Sequence, residues 1–163
     1  MKQAGVPAYA AAAFRWWRLA VMVYVPALLL TVVGAVLRLD ATVTAAAEQI
    51  DATPDEVRGG IIFSLIAATL AQALVAGFCW FVAPKLLQGN AGARMILTVL
   101  AAIFVINALF NLVGVFGTVA SGNASEAVIE ILIAALVAIA SSMATAGSVL
   151  AFRGDRNREF FQQ

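Results

Sequence analysis

The chain has 163 residues, 63% of them hydrophobic and 12% charged, with a formal net charge of +1 and a mean hydropathy of +0.97. That composition lies outside the range of a soluble core and points to an all-α membrane protein; a near-neutral chain without a long basic run gives no footing for nucleic acid. With no histidine and one cysteine, Cys79, the sequence excludes His/Cys zinc sites, histidine-ligated haem, histidine-based nucleophile arrangements and an intrachain disulfide, so no cofactor, metal or catalytic residue is expected.

Residues 1–18 are basic and set Trp16 and Trp17 between Arg15 and Arg18, which reads as an anchor at the cytoplasmic membrane interface. From Leu19 to Leu37 no charge occurs, and nineteen residues at about 1.5 Å each give roughly 28 Å, close to the thickness of a hydrocarbon core. A first transmembrane helix is therefore expected over about 19–38, modestly kinked at Pro26. The run is too long for the apolar region of a signal peptide.

Between Arg38 and Gly60 lie five of the nine acids, Asp40, Glu48, Asp51, Asp55 and Glu56. This segment predicts a solvated outer loop over 39–53, with at most a short surface helix from Ala45 to Ile50. Thr53-Pro54-Asp55-Glu56 then marks a helix start: a capping hydroxyl, a proline at the first helical position and a glutamate at the third. The second helix should run over 54–83, ending before Pro84.

A short connection with Lys85 and Arg94 but no acid precedes a third helix over 93–119. A turn from Ala120 to Ser125, containing the glycosylation-type triplet Asn123-Ala124-Ser125, leads to a fourth helix over 127–152. On this helix Ala134, Ala138, Ser142 and Ala146 recur every four residues, a small-residue seam expected to admit a neighbouring backbone. In the charged tail, Phe160 and Phe161 are expected to fold back onto the membrane interface. Eight Lys or Arg, including Arg15, Arg18, Lys85, Arg94 and Arg153, fall on one side of the four spans, against Arg38 and Arg58 on the other. The asymmetry predicts both termini in the cytoplasm.

Polar groups inside the apolar runs are few. Gln72 and Asn107 fall near mid-depth, Ser141 and Ser142 at a similar level and Asn111 one turn further out. They form either interhelical hydrogen bonds that fix the bundle or a polar site between helices. Glu130, four residues after Glu126, is expected at the outer interface, near a helix N-terminus whose dipole favours it.

The segment Gly89-Asn90-Ala91-Gly92-Ala93-Arg94-Met95-Ile96-Leu97-Thr98-Val99-Leu100 resembles a pattern, G-x-x-x-A-R-x-[IL]-L-T-V-L, of small four-helix actinobacterial membrane proteins without an assigned activity. Pro7, Phe14, Trp16 and Trp17 at the start, and Arg153, Asn157, Phe160 and Phe161 at the end, are similar to that group too. Gly92 stands where the group often has an aromatic residue. The resemblance implies four spans in a bacterial inner membrane and no reaction. The expected role is non-enzymatic: a structural or accessory partner in a cell-envelope complex, in contact with membrane lipids and with an envelope protein or further copies of itself. The alternative is a small transporter or channel built on the polar layer.

Overall fold

The computed structural model describes residues 6–120, 124–153 and 160–161, with 124–126 described by their backbone alone. All regular structure among them is helical: α1 (Ala8–Leu37), α2 (Leu39–Ile50), α3 (Pro54–Val82), a 3-10 segment (Ala83–Gln88), α4 (Ala91–Ala120) and α5 (Ala124–Phe152). Four of these, α1, α3 with its 3-10 extension, α4 and α5, are long and apolar enough to cross a membrane, and on that ground the chain is a multi-pass helical membrane protein. The triplet at Asn123, part of the expected turn and the tail residue Asn157 lie outside the described residues.

Two boundaries differ from the sequence expectation. The first helix begins at Ala8 instead of near Leu19, because the alanine-rich stretch after Pro7 is strongly helix-forming and nothing interrupts it. The outer loop expected over 39–53 is mostly the helix α2. Its Val43 and Ala47, one turn apart, are buried against the start of α3, and Arg58 of α3 reaches Asp40 of α2 at 3.1 Å. A single residue, Arg38, joins α1 to α2; its backbone N–H still bonds the Gly34 carbonyl, so the chain bends without a loop. Asp51 closes α2 in the left-handed region at φ 54°, which aspartate tolerates better than most residues.

The expected start of α3 is present. The Glu56 carboxylate accepts hydrogen bonds from the backbone N–H and the hydroxyl of Thr53, both at 2.8 Å, with Pro54 opening the helix. At the other end the 3-10 segment stops at Gly89, whose φ of +71° only glycine adopts without strain, and Asn90 Oδ1 caps α4 by accepting the Ala93 N–H at 2.8 Å.

The helices form a square. α5 packs on α1 and on α4, α3 packs on α1, and the fourth seam, between α3 and α4, is barely closed. The α1–α5 interface is the tightest because both helices carry small residues in a 3-4 repeat. Among the buried positions, those that follow this repeat are Ala10, Ala13, Trp17, Ala20, Tyr24, Ala27 and Gly34 on α1, and Ile133, Val137, Ala140, Ala144, Gly147 and Ala151 on α5. This 3.5-residue period keeps one stripe facing the partner helix, as in a left-handed coiled coil.

The seam expected on α5 is therefore corrected. Residues four apart advance about 40° around a helix at each step, so a strict four-residue series leaves any one interface. Ala134 is buried against the bundle, Ala138 and Ala146 are half-buried, and Ser142 is exposed. The last three line an open groove on the outside of α5, together with Trp16 and Val105. The close approach happens at Gly147 instead, where a Cβ would lie 2.8 Å from Trp17 Cδ1 and 3.2 Å from the Ala13 carbonyl.

Candidate functional site

The amides expected at mid-depth do meet, but through a fourth residue. Near the middle of their helices, Asn111 Nδ2 of α4 donates to the Asn107 carbonyl at 2.8 Å and to Asn107 Oδ1 at 3.1 Å. Asn107 Nδ2 donates to the Tyr24 hydroxyl of α1 at 3.1 Å, and that hydroxyl donates to Gln72 Oε1 of α3 at 3.0 Å. Three helices are thus tied by one continuous string. Tyr24 is its centre, buried and tilted against Phe104 with ring centroids 4.8 Å apart.

Tyr24 is a residue of this site that composition and charge do not mark out, since it sits within a run without charges. A signal was present: tyrosine in membrane helices prefers the interface, and a buried one needs a partner for its hydroxyl. Tyr24 lies well inside the charge-free run, so its hydroxyl had to be satisfied by another helix.

The serines do not join the string. Ser141 is buried and donates to the Phe104 carbonyl at 2.6 Å, fastening α5 to α4. Ser142 bonds back to the Ala138 carbonyl of its own helix and is exposed. The layer of five residues thus resolves into a string of three amides with Tyr24, a separate α4–α5 tie, and one surface hydroxyl.

The string borders a crevice of about 290 Å³ in the open α3–α4 seam, walled by Tyr24, Val75, Phe104 and Phe110. Of the string's groups, Gln72 Nε2 has no hydrogen-bond acceptor among the described residues. Chemically, the site offers amide N–H groups and aromatic faces. Among the described residues no three His, Cys, Asp or Glu side chains come together that could hold a metal ion.

At the α2 end of the bundle, Glu130 has a specific partner. It forms an ion pair with Arg38, whose Nε also donates to the Gly34 carbonyl at 3.1 Å. The pair is partly buried, with side chains 15% and 29% exposed, and joins α1 to α5. The 92-residue separation of Arg38 and Glu130 hides this contact from the sequence, in which Glu130 is legible only as an interfacial acid near a helix N-terminus.

At the end where α1 starts and α5 stops, the basic residues divide. Arg15 and Lys85 are exposed. Arg18 stacks its guanidinium 3.3 Å from the Trp80 ring centroid, Arg153 lies 5.9 Å from that of Tyr9, and Arg94 sits 4.4 Å from Phe152 and 5.0 Å from Phe161. Phe161 is buried, held against the bundle beside Arg94 and not at a surface. Trp16 is partly exposed as expected of an anchor, whereas Trp17 is not one: it is fully buried, edge-on to Phe104, because it occupies the α1 stripe that faces α5. No protein-family model, curated protein or solved structure matches the chain.

Proposed function

We propose that the chain is a non-enzymatic protein of a bacterial plasma membrane, with both termini in the cytoplasm, acting as a structural or accessory partner in a cell-envelope complex. The observation that carries this reading is the poor cover of α3. Only 6% of its most apolar stretch is buried, against 22% to 39% in the other spans. Ala76, Cys79 and Val82 are its buried residues, while Phe63, Leu70, Leu74 and Phe81 are each more than half exposed. A span that its own bundle covers so little leaves a long apolar face for another transmembrane segment. The amides, meanwhile, bond Tyr24 and, between Asn111 and Asn107, each other, which suits a structural role.

The reading is tested by photo-crosslinking side chains placed at Leu70 and Leu74 in native membranes. One discrete adduct, either a different envelope protein or a second copy, supports it; labelling of lipid alone refutes it. A second reading, a small transporter, draws on the crevice beside the amide string and requires solute flux in proteoliposomes that is lost in Asn107→Leu. Orientation is read by cysteines at the exposed positions Thr44 and Gln88 in a Cys79→Ala background. An impermeant maleimide should label position 44 and not 88 in whole cells.

A further inference from the structure

The crevice in the α3–α4 seam lies near the middle of the helices that line it, at the depth of the hydrocarbon core for spans of this length. Tyr24 has its proton committed to Gln72 and accepts from Asn107, so its hydroxyl is occupied from both sides. There the two N–H bonds of Gln72 Nε2 meet no acceptor among the described residues, although Gln72 lines the crevice. An amide donor in hydrocarbon is costly unless it finds an acceptor, and everything else on the crevice wall besides Asn107 and Tyr24 is apolar.

We propose that this crevice binds a flat, lipid-soluble ring compound bearing a carbonyl oxygen, held by a hydrogen bond from Gln72 and packed on the rings of Tyr24, Phe104 and Phe110. Three features select that chemistry. The exposed polar function is a donor, so the ligand presents an acceptor. The ester carbonyls of ordinary phospholipids lie about 15 Å from the bilayer centre, half the core thickness, and cannot reach it. About 290 Å³ between aromatic walls suits one ring system, with the half-open seam as its entry from the bilayer. The proposal is independent of whether α3 also meets a protein partner.

The test uses the full chain in phosphatidylcholine nanodiscs with benzophenone, an aromatic ketone that crosslinks on irradiation, as the probe. Labelling should be saturable and fall on peptides carrying Tyr24 and Ile103–Phe110. Fluorenone should compete roughly tenfold better than fluorene, which has the same shape without the carbonyl, that ratio being the effect of one hydrogen bond. In Gln72→Leu the two competitors should become equal. Equal competition in the wild-type protein, or labelling of Phe63, Phe78 and Phe81 as strong as that of the crevice, overturns the proposal. The wild-type comparison decides even where the variant does not fold.

Discussion

Replacing Tyr24 by phenylalanine removes one oxygen and cuts the string in two places. Asn107 Nδ2 loses its acceptor at 3.1 Å and Gln72 Oε1 its donor at 3.0 Å, while the ring and its contact with Phe104 stay. Interhelical hydrogen bonds in bilayers average about 0.6 kcal/mol, so two of them set a floor of roughly 1.2 kcal/mol for Tyr24→Phe. The amides left unpaired raise the cost toward about 3 kcal/mol. The sharper expectation is a change in coupling. Gln72 and Asn107 do not bond each other; they share the Tyr24 hydroxyl. In the wild-type background Gln72→Leu and Asn107→Leu should be non-additive by about 0.5 kcal/mol or more, and in the Tyr24→Phe background that coupling should vanish. Unfolding in mixed micelles titrated with a denaturing detergent, followed by circular dichroism, measures all the corners. Coupling that survives in Tyr24→Phe would mean that the amides bond directly and would refute the relay.

The α1–α5 seam predicts that Gly147→Leu destabilises by about 1 to 3 kcal/mol, since even its Cβ would stand 2.8 Å from Trp17 Cδ1, while Ala138→Leu at the open groove stays within about 0.5 kcal/mol. Equal shifts in thermal unfolding would place the seam elsewhere. Glu130→Ala should cost about 1 kcal/mol, the pair being partly solvent-screened, and much of that loss should disappear when Arg38→Ala is already present; additive losses would show that the ion pair carries no coupling. Glu56→Ala removes the acceptor of the Thr53 N–H and hydroxyl and should loosen that helix end, seen as faster amide exchange in the first turn of α3 only. Exchange that is unchanged there would mean the cap does not hold that end.

The features that local sequence determined are those that depend on one segment at a time. A charge-free run of span length, a capping glutamate three residues after Thr53 and a proline or glycine at a helix end act on the backbone nearby, so the four spans and the start of α3 follow from the chain itself. Facing is another matter. A soluble helix advertises its buried face by contrast with a polar one, but these spans are apolar all round, and hydrophobic periodicity cannot say which side meets a neighbour. Only packing settled that the 3-4 stripe through Ala140, Ala144 and Gly147 is buried while the four-residue series through Ser142 is not, and that Trp17 turns inward beside an outward Trp16. The site divides along the same line. Gln72, Asn107 and Asn111 stand out in the sequence because amides in an apolar run need partners, whereas Tyr24 between them, and Arg38 across from Glu130, are brought to their places by helices 48 and 92 residues away. Those contacts exist only once the bundle has fixed the depth and rotation of each span.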